Sequence, residues 1–158
     1  MTENDVGHAG AAESLEPLAS GSPLWPSFVA ALQHASLPTD DIGDSGQVFF
    51  VLRAEGDPIG FGGYESHAYD ALLRSLVVPV QHRHVGVGRR ILSALVFRLR
   101  QDKVERIWLL TNDAAEFFEK QGFVRRPRTA APAVIAGTRE FSSLCPASAL
   151  LMCLTRHP

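Results

Sequence analysis

Cysteine is scarce in this 158-residue chain: Cys145 and Cys153 are the only two, with neither a CxxC nor a metal-ligand spacing around them. That leaves out a disulfide framework and a cysteine-based zinc site, and no metal is expected. Long apolar runs are also missing, and the first residues lack the basic-then-apolar order of a secretory leader. The expectation is a soluble, cytoplasmic protein without a membrane partner. Lys and Arg are absent from residues 1–52, which hold seven acids, while residues 53–158 carry ten acids and all fifteen bases. The net charge of −2 therefore hides a basic C-terminal part. No basic stripe interleaved with aromatics runs through that part, which argues against nucleic acid as a partner.

What remains is ordinary globular composition, 46% hydrophobic and 20% charged, enough for one core in one domain. Residues 1–13 are small, polar and acidic and read as a flexible tail; residues 14–158 read as the domain. Ser14–Ala19 supplies a short first strand, Pro23–Ala35 a helix, and Leu37–Ile42 a second short helix entry with Thr39 as its cap. Gln47–Ala54 and Ile59–Ser66 form a hairpin across Glu55-Gly56-Asp57-Pro58, and Ala71–Val78 is a third, mostly apolar strand. Helices are expected from Gly88 to Arg100, with Ile91, Leu92, Leu95, Val96 and Leu99 on one face, and from Asp113 to Gln121, closed by Gly122. Arg106–Thr111 is the strand between them. Pro132–Phe141 reads as a helix and Ala147–Leu154 as a closing strand buried on both faces. The fold class is α/β, a mixed and mostly antiparallel sheet flanked by helices.

The stretch with most chemistry is Arg83-His84-Val85-Gly86-Val87-Gly88-Arg89-Arg90, between the third strand and a helix. Such a loop offers unpaired backbone N–H groups and the positive end of a helix dipole, a cradle for a pyrophosphate. A side chain at Gly86 or Gly88 would hold the phosphate away from those amides. A dinucleotide fold through Gly86-Val87-Gly88 is disfavoured, because Ile91 stands where a third glycine would permit close helix–strand packing.

The order Arg-x-x-Gly-x-Gly after a strand, then helix, strand, and Asn112-Asp113-Ala114-Ala115-Glu116-Phe117-Phe118-Glu119-Lys120-Gln121-Gly122-Phe123, resembles the GCN5-related N-acetyltransferases over roughly Gln47–Phe123. The resemblance implies acetyl-coenzyme A as cosubstrate. It implies the pyrophosphate on Arg83, His84, Val85, Gly86, Val87, Gly88 and Arg89, the pantetheine arm along Leu76, Val77 and Val78, and the later helix, with Asn112 and Phe118, lining that arm. It also implies the Val78 amide as donor to the oxyanion. Where many members carry a tyrosine as general acid this chain has Phe118, which cannot donate a proton. A thiol with a reference pKa of about 8.5 leaves tolerably without one.

The strand before the loop lacks the acid that many members use as base. Glu65, sharing a face with Ile59, Phe61 and Gly63 by strand alternation, is the first candidate, and an apolar neighbourhood would raise its pKa toward the working range; Asp70 is a weaker one. Alternation puts Arg74 on one face with Leu72, Leu76 and Val78, where a guanidinium needs an anion. Two partners stay open for it, a substrate oxyanion or an internal pair with Glu65. His82 and His84 read as polar loop residues and Cys145 as a small buried one.

Ala71–Val78, Leu110-Thr111 with Ala114–Phe118, and especially Glu140-Phe141-Ser142-Ser143-Leu144-Cys145-Pro146-Ala147-Ser148-Ala149 look like the arsenic-resistance branch of these enzymes. That branch implies a small amino-acid-like acceptor, arsinothricin or phosphinothricin, with Arg74, Arg53, Thr39 and Asp40 on the substrate side. Two other functions compete: a non-catalytic acyl-coenzyme A sensor and an acetyltransferase of protein amines. A homodimer sharing the apolar final strand is a further expectation.

Overall fold

The computed structural model describes residues 13–83, 86–144 and 147–156. Seven strands form one sheet: β1 (Glu13–Pro17), β2 (Gln47–Ala54), β3 (Asp57–His67), β4 (Asp70–Val77), β5 (Arg106–Thr111), β6 (Val124–Arg126) and β7 (Leu150–Thr155), in the order β1-β2-β3-β4-β5-β7-β6. All neighbours are antiparallel except β4 and β5. The helices are α1 (Trp25–His34), α2 (Val87–Gln101), α3 (Ala115–Lys120) and α4 (Ala133–Ala136).

Two cores lie on opposite faces of the sheet. α2 buries Val87, Ile91, Leu92, Leu95 and Leu99, the helical stripe expected from their spacing, together with Phe118 and Phe123. Its seat on β3 is made by absent side chains: a Cβ on Gly60 would run into Ile91, and one on Gly62 would come within 2.8 Å of Leu95. On the other face α1 packs Phe28 and Leu32 against Phe49, Val51, Phe61 and Val77, and α4 brings Ile135 to Leu72, Trp108 and Leu151. Each of these buried side chains is worth roughly 1.5–3 kcal/mol over leaving it in water.

The parallel pairing of β4 and β5 covers Asp70↔Arg106, Ala71↔Ile107 and Leu72↔Trp108. Both strands then run on, to Val77 and to Thr111, outside that register. Their C-terminal ends are thus unpaired with each other, leaving a wedge, and the start of α2 lies beside it, where a Cβ on Gly88 would stand 3.8 Å from Val78 and 3.5 Å from Phe117.

Several expectations shift. Gln47–Ala54 and Arg106–Thr111 stand as read, and Glu13 already belongs to β1. Leu37–Ile42 forms turns and no helix. The helix expected over Pro132–Phe141 is split into α4 and a π-helical turn at Glu140–Leu144, with Gly137 closing α4. β6 was not anticipated; three exposed residues carry no periodicity. The closing strand β7 is buried on both faces and lies between β5 and β6, so the sheet edges are β1 and β6.

Strict alternation also fails in β4. The register jumps from Gly63↔Arg74 to Phe61↔Val77, a bulge centred on Ser75, whose φ is +59°. Leu72 stays on the face of Arg74, but Leu76 and Val78 pack with the α2 core and Val77 with the α1 core. A similar shift at Leu52/Arg53 moves Ile59 into the α2 core, away from Phe61.

Candidate active site

The glycine loop leaves β4 through Val78 and Pro79, makes a tight turn at Val80–His82, and reaches Gly86 in the left-handed conformation (φ +72°, ψ +20°) as the residue that opens α2. Glycine adopts that conformation at little cost, and a β-branched residue does so rarely. The Arg90 amide donates to the Gly86 carbonyl at 3.2 Å, so the amides of Val87, Gly88 and Arg89 lie in the unsatisfied first turn. No acid occupies that turn. Around Gly86, Arg89 Nη2 and Arg90 Nη1 lie 3.5 and 3.7 Å from where a Cβ would stand; Arg90 also pairs with Glu13 at 2.9 Å. Arg83 folds back and donates from Nε to the Val78 carbonyl at 2.7 Å, fixing the loop to the end of the strand. Val87 is fully buried, backbone included, whereas Gly86 and Arg89 on either side of it are exposed and Gly88 is partly so. The expectations for His84 and Val85, like that for Cys145, fall outside the described residues. The arrangement suits a diphosphate: bare amides, a positive dipole end and guanidinium groups at one lip.

Across the wedge, the Thr111 hydroxyl accepts the Ala114 amide at 3.1 Å and starts α3, which is shorter than expected, at Ala115–Lys120. Asn112 is exposed at the tip. Phe118 is buried, edge-on to Phe117 and Phe123 with centroids 5.0 and 5.6 Å away. The aromatic nearest the glycine loop is Phe117, half-buried, its Cζ 3.5 Å from where a Gly88 Cβ would stand. Sequence reasoning named the neighbour in the same Phe-Phe pair; which of two adjacent rings turns to the loop depends on how α3 sits.

On the opposite face Arg74 is caged. Its guanidinium donates to Asp41 through Nη1 at 2.6 Å and Nη2 at 2.7 Å, to Glu65 through Nη1 at 3.1 Å, and to the Ser75 hydroxyl through Nε at 3.2 Å. Glu140 Oε1 stands 3.5 Å from Nε. The Arg74 side chain has no exposed surface, and Asp41 and Glu140 are almost as deeply buried. Burial pushes the Asp41 carboxyl up, but the hydrogen bonds and charge of Arg74 outweigh it and hold it below the usual range. Burial would likewise depress Arg74, and its carboxylate partners raise it instead. Glu140, with its long contact, is pushed up to about 7 by burial, against the charge of Arg74 and with the charges of Asp41 and Glu65.

Of the two partners left open for Arg74, the cage contains the internal one, Glu65, and adds Asp41 and Glu140. Asp41 and Glu140 were missed as partners, since they come from the α1–β2 loop and the π turn, 33 and 66 positions away in the chain, and no local pattern links them. Asp40 is exposed and Thr39 half-buried. Arg53 lies toward the other end of β2, bonded to Glu16 at 3.0 Å and to the Gly56 carbonyl at 2.9 Å, and takes no part. Glu65 has a polar setting rather than an apolar one: besides Arg74, Gln47 Nε2 approaches at 3.5 Å, and His67 Nε2, buried and without a hydrogen-bond partner among the described residues, lies 3.8 Å from Oε1. Asp70 is occupied by Arg106 at 2.7 and 2.9 Å and by Trp108 at 2.8 Å, a clamp at the paired end of β4 and β5. Among the described residues no group of three His, Cys, Asp or Glu is arranged to hold a metal ion, and no helix is long and apolar enough to cross a membrane. Burial raises the Cys153 thiol to about 11, an inert core group.

Residues 45–125 match the family profile described as acetyltransferase (GNAT) domain. The fold is similar to N-acetylglutamate synthase from Neisseria gonorrhoeae complexed with coenzyme A and N-acetyl-glutamate (TM-score 0.72, 16% identity, 92% of this chain and 36% of that one). It is also similar to a GNAT family acetyltransferase from Elizabethkingia anophelis with acetyl-CoA bound (0.67, 11%, 92% and 99%) and to Tetrahymena GCN5 (0.70, 18%, 92% and 97%). The chain thus spans about a third of the synthase's length. No curated protein matches it.

Proposed function

The chain belongs to the GNAT acetyltransferase domain family, and from that membership we propose that it moves the acetyl group of acetyl-coenzyme A to the amino group of a small molecule, by direct attack in a ternary complex. The observation that carries the reading is the glycine loop: a left-handed Gly86 and an acid-free first turn of α2, set at the open end of the β4–β5 wedge. Acetyl-coenzyme A supplies an activated thioester and a polyanion. The amides of Val87, Gly88 and Arg89, with Arg83 and Arg89 beside them, bind and orient the polyanion. Leu76, Val77 and Val78 present backbone to the pantetheine arm, and the Val78 amide meets the negative charge that develops on the acetyl oxygen.

Glu65 holds the proton taken from the acceptor's ammonium, leaving a lone pair to attack. Phe118 donates nothing, so the departing thiolate is protonated by the amine's second proton or by water. An amino-acid-like acceptor of the arsinothricin or phosphinothricin type is the narrower reading. Its support is the resemblance of residues 140–149, whose first member, Glu140, abuts Arg74. Arg74, already gripped by Asp41 and Glu65, is a poor partner for that acceptor's anion. Thiol release from acetyl-coenzyme A with a panel of simple amines, amino acids and phosphinothricin tests the reading. Selective turnover supports it; coenzyme A binding without turnover favours the sensor function.

A further inference from the structure

We propose that Arg74 is a positioning residue: caged by Asp41, Glu65 and Glu140, it holds Ser75 in a left-handed backbone conformation and thereby keeps the bulge that turns the end of β4 toward the cofactor site. In an unbulged strand Leu76 would share the face of Arg74, and Val77 would point to α2. The reverse is found: Leu76 and Val78 pack with the α2 core and Val77 with the α1 core. The change of phase sits at Ser75, at φ +59°, between the registers Gly63↔Arg74 and Phe61↔Val77. Non-glycine residues adopt that conformation uncommonly; among the described residues the other cases, Ser36, Glu55, Ala68 and Lys103, lie in exposed turns, whereas Ser75 is buried within a strand.

The surroundings here are specific. Ser75 is buried, so its hydroxyl must find a partner away from water. That partner is Arg74 Nε at 3.2 Å. The guanidinium is planar and rigid, so once Asp41 grips Nη1 and Nη2 at 2.6 and 2.7 Å the direction of Nε is set as well. Glu65 at 3.1 Å and Glu140 at 3.5 Å close the cage. Lysine, with one charged nitrogen, cannot grip Asp41 and Ser75 in this way. The catalytic consequence rests on the acetyltransferase reading of Val77 and Val78; the structural consequence does not.

The test is a double-mutant cycle on the full chain. Glycine needs no help to stay left-handed, so Ser75→Gly should rescue what Arg74→Gln loses. Arg74→Gln is expected to lower kcat roughly 10- to 100-fold, the scale of releasing one strained backbone position, with coenzyme A affinity, carried chiefly by the glycine loop, falling by much less. Adding Ser75→Gly should recover most of that loss. Thermal unfolding reads the same coupling without activity: Ser75→Gly should raise Tm more in the Arg74→Gln background than in the wild type. Equal Tm changes in the two backgrounds overturn the proposal. So does a rise in acceptor KM with kcat unchanged, which would make Arg74 a substrate contact. Should Arg74→Gln fail to fold, Asp41→Asn, which loosens the grip on the guanidinium, enters the same cycle. If the wild type acetylates no amine the functional reading falls by itself, and the Tm cycle still decides this one.

Discussion

The two faces of the sheet solve different problems with different materials. The α2 face is apolar and backbone-driven: a regular helical stripe on two glycines of β3, ending in bare amides and a left-handed glycine. The face of α1 and the π turn buries, beside its own apolar core, one guanidinium among three carboxylates drawn from three further segments of chain. An apolar seat fixes an element by shape alone, with no buried charge to match. A buried ionic cage costs several kcal/mol of desolvation and returns it only when every donor is matched. The first arrangement suits the binding of a large anion, and the second suits the fixing of one backbone residue against its preference.

The largest expected effect falls on chemistry. Glu65→Gln should lower kcat by roughly 10²–10⁴-fold, the usual span for a general base, with coenzyme A affinity retained by calorimetry. A loss below tenfold would remove Glu65 from that role. Next comes the cage as a whole. Arg74→Met strands the buried Asp41 carboxylate and takes the cation from Glu65 and Glu140, and should cost about 3–5 kcal/mol, a fall in Tm of roughly 6–20 °C for a domain of this length. A change within 2 °C would mean the cage relaxes freely, and the contrast between the faces would collapse.

On the opposite face, Gly86→Val forces a β-branched residue into the left-handed region and fills the cradle. Coenzyme A affinity should fall roughly 10- to 100-fold, with kcat at saturating cofactor much less affected. The smallest effect concerns Glu140. Its carboxyl is raised on folding from an ordinary 4.5 to about 7 by burial among Arg74, Asp41 and Glu65. The folded state thus holds this proton more tightly than the unfolded chain. Its contribution to stability is complete below about 4.5 and is lost as pH rises to about 7. Glu140→Gln should therefore raise Tm relative to wild type by more at pH 8 than at pH 5; the opposite order would show Glu140 to be an ionised partner of Arg74.

The α2 face was largely legible in the sequence, and the cage was not. Periodicity located α2 to within a residue at each end, and the Gly86-x-Gly88 spacing located its left-handed, acid-free start, because both are local. Arg74 stood out as a cation on an apolar strand and Glu65 as a partner for it, but Asp41 and Glu140 are brought to it only by the fold. Ser75 gives no local sign of its positive φ, so alternation misplaced everything after it in β4. The same holds for Ile59, moved by the shift at Leu52/Arg53. Phe118 was singled out where Phe117 faces the loop, a difference of one helical position that only the packing of α3 decides.

The central claim is that cofactor binding belongs to the glycine-loop face and that the cage serves the backbone. Calorimetric titration of coenzyme A into the wild type, Gly86→Val and Arg74→Gln tests it most directly. The account predicts binding to the wild type, a loss of at most about threefold in Arg74→Gln, and a loss of roughly 10- to 100-fold in Gly86→Val. No binding to the wild type, or an equal loss in both variants, would contradict it.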